Sequence, residues 1–230
     1  VRIAYFLAKC GLGSRRDCEQ LVVNKLVTIN NTLVTECATK VQEQDIVRYR
    51  NRALKFNPSK LFLYDKSPGL IVSTQDDRPT VFQDLAEIPY RLISVGRLDF
   101  MSEGLMLMAT DPLVAHHWET SVVTRRYVVR TYIPPYATQA HQAPWNQALE
   151  VNGVVYKAIQ LIKVHQERTH IFDLTVDITE GKNREIRKIW DSYEWKIQKL
   201  IRSRYGPFRI DDLHGKKWIE TEVILPPLDA

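Results

Sequence analysis

Two strand-length apolar runs, RLISV at 91–95 and GLMLMAT at 104–110, read as strands of a buried core. Between them the chain places GRLDFMSEG, with Arg97 and Asp99 standing at the turn. A solvated Asx-type turn would explain an aspartate there, but Phe100 and Met101 follow it directly. A carboxylate held among apolar groups needs a cationic partner. The fold must therefore bury both runs and also bring a basic residue to the turn that joins them.

The remaining segments supply strands and a few helices. LFLYDKSPGLIVST reads as a β-hairpin turning at Ser67-Pro68-Gly69, and TVFQDLA as a short helix. DPLVAHHWET has Asp111 as cap and Pro112 at the first helical position. RRYVVRTYI, VVYKAIQLIKVH and THIFDLTVDI are β-like, and KIQKLIRSRYGPF is a strand and turn. NREIRKIWDSY sets Ile186, Ile189, Trp190 and Tyr193 at helical spacing, which puts Arg184, Arg187 and Lys188 on the same helix. Many antiparallel-capable strands with few helices make an α+β fold with a mixed, mainly antiparallel sheet. No GxGxxG or GxxxxGK[ST] occurs, so a nucleotide-cofactor fold has no support.

Ahead of this domain lies a small module. RIAYFLAKCG reads as a short helix ended by Gly11, and Ser14 with Asp17 as a capping-box variant opening RRDCEQLVVNK. VTINNTLV reads as a hairpin turning at Asn30-Asn31, and VQEQDIVRYR adds a strand. The boundaries expected are 1–50 for the module, 51–60 for a linker and 61–230 for the larger domain. Arg15 and Arg16 fall in the first turn of the second helix, where the helix dipole disfavours cations; an external anion would account for them.

The charge distribution points the same way. Net charge is +5, and Lys182–Lys217 holds eleven Lys/Arg against five Asp/Glu, with Trp190, Trp195, Tyr205 and Phe208 interleaved. The first 25 residues add five basic against two acidic. Two basic poles with aromatics raise the odds of a nucleic-acid surface over solvated helix faces. No run of 18 apolar residues is present, which excludes a membrane-spanning helix. The chain opens at Val1 with no charged-then-apolar leader, and Cys10, Cys18 and Cys37 have no CxxC spacing. Three unpaired cysteines fit a reducing cytoplasm and neither a disulfide framework nor a zinc site.

FLAKCGLGSRRDCEQLVVNKLVTINNTLV resembles the small RNA-binding domain first described in a ribosomal small-subunit protein, with Asn31 where that family has Gly. GRLDFMSEGL, RRYVV, EGKNREIRK and KLIRSRYGPF, in that order behind such a module, resemble the motif series of the RsuA/RluB-type ribosomal RNA pseudouridine synthases. Asp65 stands where that family commonly has Asn, and Phe100 and Met101 where it more often has polar residues. The resemblance implies an isomerase that breaks the uridine glycosidic bond, turns the uracil and rejoins it through carbon five, without metal or cofactor. It assigns Asp99 as the catalytic aspartate, Arg187 as its basic partner, Tyr127 as the active-site tyrosine and Leu200 as the apolar residue near the base. RNA contacts are expected from Lys9, Arg15, Arg16, Arg97, Arg184, Lys188, Arg202 and Arg204. The expected partner is ribosomal RNA, with a lean to the large subunit from Arg187 and LIRSRYG. The protein is expected to act as a cytoplasmic monomer.

Two other functions compete. A binding-only ribosome-assembly factor would have no need of a charged pair in an apolar cleft. A glycoside hydrolase normally wants two carboxylates about 5–10 Å apart, and only Glu103 lies near Asp99 in sequence.

Overall fold

The computed structural model describes residues 1–143 and 145–226. Helices α1 (Ile3–Lys9) and α2 (Arg15–Val23) open the chain. At the start of α2 the Asp17 amide donates to the Ser14 hydroxyl at 3.2 Å and the Ser14 amide donates to the Asp17 carboxylate at 2.8 Å, which closes the capping box. Strands β1 (Val27–Ile29) and β2 (Thr32–Leu33) pair across Asn30 and Asn31, whose φ values of 50° and 68° are those a two-residue turn demands. Strand β3 (Val47–Tyr49) flanks β1, and β4 (Arg52–Ala53) flanks β3. The segment read as linker thus contributes a strand, and Leu54 packs on the module's core of Ile3, Leu7, Cys18, Val22 and Val47. The three cysteines are free, and burial pushes the Cys10 and Cys18 thiols up to about 11, so both act as small apolar side chains.

The larger domain runs β5 (Leu61–Lys66), α3 (Val81–Asp84), β6 (Ile93–Val95), β7 (Glu103–Ala109), α4 (Pro112–Thr120) and β8 (Arg125–Tyr132). It continues with β9 (Leu149–Val151), β10 (Val154–Tyr156), β11 (Gln160–Arg168), β12 (Ile171–Ile178), α5 (Glu185–Ser192), β13 (Lys196–Tyr205), β14 (Phe208–Arg209) and β15 (Trp218–Thr221). The large sheet has the order β11-β12-β8-β13-β7-β5-β15, with β14 on β13 and β6 on β7. All its pairings are antiparallel except β13 with β7, so the α+β expectation holds. Residues 227–230 of the expected 61–230 domain lie outside the described residues.

Strand β7 shows why its sequence is apolar throughout. Met106 and Met108 face one core with Tyr64, Val129, Leu174 and Trp190, while Leu105, Leu107 and Ala109 face a second core with Leu61, Leu63 and Trp118. Side chains alternate across a strand, so burial on both faces removes the usual polar half of the pattern. Each large side chain so buried contributes roughly 1.5–3 kcal/mol. Helix α5 covers the first face through Ile186, Ile189 and Trp190, and α4 covers the second through Val114, Ala115 and Trp118.

Two expectations need correction. LFLYDKSPGLIVST is not a hairpin: β5 pairs with β7 and β15, and the following run makes only a bridge from Ile71 to Thr80. VVYKAIQLIKVH is β-like as expected and forms two strands, β10 folding back on β9 across Asn152-Gly153 and β11 pairing with β12. Trp190, Trp195, Tyr205 and Phe208, read as aromatics of a nucleic-acid surface, are all buried in the cores. Among the described residues no helix is long and apolar enough to cross a membrane.

The module is docked on the larger domain through Asp111, which is 5% exposed. This carboxylate caps α4 through the Leu113 amide at 2.9 Å and accepts from Ser59 at 2.7 Å and from the Tyr5 hydroxyl at 3.3 Å. The Lys9 ammonium lies 3.0 Å from the same carboxylate and over the Phe56 ring. Burial raises the Asp111 carboxyl, but the Ser59, Leu113 and Lys9 contacts outweigh it and hold the group below its ordinary range. Lys9 thus has a carboxylate partner within the protein.

Candidate active site

Asp99 lies in the loop between β6 and β7, in a turn closed by the Ser102 amide donating to the Asp99 carbonyl at 3.0 Å. Lys66, the last residue of β5, holds that turn from beneath. Its side chain is fully buried, and the ammonium donates to the carbonyls of Ser67 at 3.0 Å, Phe100 at 3.3 Å and Ser102 at 2.7 Å. The Gly69 amide adds a bond to the Phe100 carbonyl at 2.8 Å. Burial pushes the Lys66 ammonium down to about 8, with Asp99 and Glu103 pulling the other way. Sequence reasoning passed over this lysine. The usable signal was a lysine closing a strand whose first four residues, LFLY, are core-like, and a core tolerates such a charge only with partners.

The basic partner comes from α5. The Arg187 guanidinium spans the turn, with Nε donating to Asp99 Oδ2 at 3.0 Å and Nη2 to Ser102 Oγ at 3.0 Å. Arg184 Nη1 adds a longer contact to the same Oδ2 at 3.5 Å. Among the described residues nothing hydrogen-bonds Oδ1, so one carboxylate oxygen is held and the other is left for a ligand. The Arg187 and Asp99 side chains are 17% and 29% exposed, so solvent screens their attraction less than it would a surface pair. Arg184 caps α5 in a left-handed conformation rather than lying on the helix itself.

Beneath the turn, Tyr127 on β8 and Leu200 on β13 are buried side by side, since β13 places Arg202 opposite Tyr127 and Leu200 opposite Val129. Asp99, Tyr127, Arg187 and Leu200, with Arg97, Arg184 and Arg202, line one cavity of about 530 Å³. That lies within the roughly 300–1,000 Å³ usual for ligand sites. Of the other residues expected to meet RNA, Arg15, Arg16 and Lys188 are exposed away from the cavity lining. Arg204 bends to the Gly206 carbonyl at 2.7 Å, and Arg202 is buried, donating to the Leu105 carbonyl at 2.7 Å. Met101 is exposed, while Phe100 lies under the Arg78 guanidinium.

A second carboxyl faces the same cavity. Glu185 opens α5, almost wholly buried, with Oε2 accepting from the Lys182 amide at 3.1 Å and Oε1 without a partner. Burial, and then the charge of Glu180, push its carboxyl up to about 7. A carboxyl that binds its proton more tightly when folded contributes stability below its unfolded pKa and loses it as pH rises through the folded value. Glu185→Gln keeps the acceptor and cannot ionise. Its melting temperature at pH 8 should exceed the parent's by about 5 °C, with the difference closing by pH 5. Equal melting of the two proteins at both pH values would refute this account of Glu185.

Residues 60–192 match the family model described as RNA pseudouridylate synthase, and residues 1–47 match that of the S4 domain. The chain belongs to the RNA pseudouridylate synthase family. It is 36% identical over 224 residues to an uncharacterized RNA pseudouridine synthase of Rickettsia bellii, covering 95% of this chain and 96% of that one. It is 32% identical to the ribosomal large subunit pseudouridine synthase B of Xanthomonas axonopodis pv. citri, over 89% of this chain and 39% of that longer protein. A crystal structure of pseudouridylate synthase shares the fold, with a TM-score of 0.62 at 19% identity and 96% of each chain covered. The synthase is accordingly an isomerase, and its N-terminal module is an S4 domain.

Proposed function

We propose that this synthase converts a specific uridine of large-subunit ribosomal RNA to pseudouridine, as a cytoplasmic monomer, with Asp99 as the reacting carboxylate. The observation that carries the reading is the Asp99 turn, gripped by Arg187 at 3.0 Å and by the buried Lys66, over a cavity floored by Tyr127 and Leu200. The large-subunit assignment draws support from the name of the Xanthomonas relative, ribosomal large subunit pseudouridine synthase B.

Chemically, the uridine leaves its stack at a cost of about a few kcal/mol, which phosphate contacts offset. Asp99 then attacks the ribose or removes a ribose proton, and its free oxygen is placed for either. Arg187 favours the ionised carboxylate by opposite charge and fixes its direction. Tyr127 offers a flat face to the uracil and a hydroxyl near the proton that must leave carbon five. Leu200 packs beside the ring and keeps water away from the separated base. Such rigid support of a reacting group is what a preorganised site requires.

The test uses large- and small-subunit ribosomal RNA transcripts, and the corresponding particles, tritiated at uracil carbon five. Incubation with the synthase should release tritium to water from the large-subunit RNA or its particles. Release from the small-subunit RNA alone would overturn the substrate assignment. Binding to all of these without release from any would indicate an assembly factor instead.

A further inference from the structure

The cavity that holds Asp99 is also lined by Arg125, Arg202 and Tyr205. Both guanidiniums are almost wholly buried, Arg125 at 8% and Arg202 at 2% exposure. Their central carbons lie 4.9 Å and 5.0 Å from the Tyr205 ring centroid, so the ring is shared between two positive charges. Buried charges ordinarily have an opposite charge in contact. Among the described residues no carboxylate comes within 4.0 Å of either arginine.

Their partners are neutral oxygens. Arg125 donates to the Tyr205 hydroxyl at 3.2 Å and to the Thr179 carbonyl at 3.5 Å. Arg202 Nε donates to the Leu105 carbonyl, and its Nη2 is buried with no partner. Of the carboxylates lining the cavity, Asp99 belongs to Arg187, Glu185 is held in the loop of Lys182, and Glu119 is exposed. Two buried cations with no carboxylate in contact, one of them with an unpartnered nitrogen, line one cavity, and an anion is the group that would complete them.

Register sets both cations beside Tyr127. Arg202 is paired directly opposite Tyr127, and Arg125 lies two residues before Tyr127 on the same face of β8. On the functional reading above, a base over Tyr127 has its sugar-phosphate in the same cavity that these two cations line. Guanidinium is the group whose fork of donors matches phosphate oxygens.

We propose that Arg125 and Arg202 form a binding site for one backbone phosphate of the RNA, the phosphodiester attached to the ribose of the uridine held over Tyr127. Arg125, the more exposed of the two, is the direct donor, and Arg202 adds its charge from behind. The proposal rests on the functional reading above and adds to it a second anchor for the ribose besides the Asp99 turn.

The experiment measures affinity of the full chain for a large-subunit ribosomal RNA transcript over a series of salt concentrations, with melting curves to confirm folding. Arg125→Gln and Arg202→Gln should each weaken binding about tenfold and reduce the slope of log affinity against log salt by about one. Folded Gln variants with the parent's slope and affinity would overturn the proposal. Phosphate-ethylation interference on the unaltered synthase covers the case in which a Gln variant fails to fold. Ethylation of a phosphate joined to the modified uridine should exclude RNA from the bound fraction, and indifference to it would overturn the proposal. The two readings fail separately. A parent that releases no tritium while the slopes still fall would sink the functional reading and leave the anion site standing. Normal release with unchanged slopes and no interference would sink the anion site alone.

Discussion

Asp99→Asn should lower tritium release at least about 10³-fold, the scale of loss when a positioned reacting group is removed. Asparagine is nearly isosteric and can still accept from Arg187 Nε through its carbonyl oxygen, so the turn held by Lys66 and Ser102 should survive. What disappears is the negative charge and the basic oxygen. Arg187 then faces the cavity uncompensated, so affinity for the RNA polyanion should stay at the parent's level or rise. That sign matters, because a variant that lost activity by unfolding would lose affinity as well. Single-turnover release and equilibrium binding, measured on the same preparation, separate the two. An Asn variant retaining a tenth or more of the parent rate would remove Asp99 from the chemistry.

The Asp99 turn was legible in the sequence because the conflict was local: GRLD stands between two core strands and is followed by apolar residues. The α2 capping box and the Asn30-Asn31 hairpin were legible for the same reason, each being decided within a few residues. Non-local pairing was not. LFLYDKSPGLIVST carries a turn signal, yet β5 takes its neighbours from β7 and from β15, the latter over 150 residues further on. That the first part of VVYKAIQLIKVH pairs backward with β9 was signalled by Asn152-Gly153, a strong hairpin turn just ahead of the run. Charge told the sign of a residue but not its burial. Only the assembled fold shows that Lys9 meets the Asp111 carboxylate, that the buried Lys66 is held by three carbonyls, and that Arg125 and Arg202 meet only neutral oxygens, with one Arg202 nitrogen left over.

The larger structural effect is expected at Gly104. This residue joins β7 to β13, the parallel pairing in the sheet, where Glu103 stands opposite Ile201 and Gly104 opposite Arg202. Its φ is +99°, and a Cβ there would lie 2.5 Å from the Arg202 carbonyl oxygen and 3.0 Å from the Arg202 amide nitrogen. Both are backbone atoms, so the strands themselves must part. The two sides of that seam carry different halves of the site: Lys66, Asp99 and Ser102 on one, Tyr127, Leu200 and Arg202 on the other. Gly104→Ala should cost about 2–5 kcal/mol, the sum of an unfavourable backbone region and an overpacked contact. A fall in melting temperature of about 10 °C should result, with tritium release reduced even well below the melting range. Gly96 supplies the comparison. Its φ is +67°, but no atom lies within 4 Å of a Cβ built there. Gly96→Ala should therefore show only the conformational part, about 1 kcal/mol. If the two variants melted together, contact across the seam would not be what Gly104 provides. If Gly104→Ala melted lower yet kept full activity, the two halves of the site would not depend on that seam for their alignment.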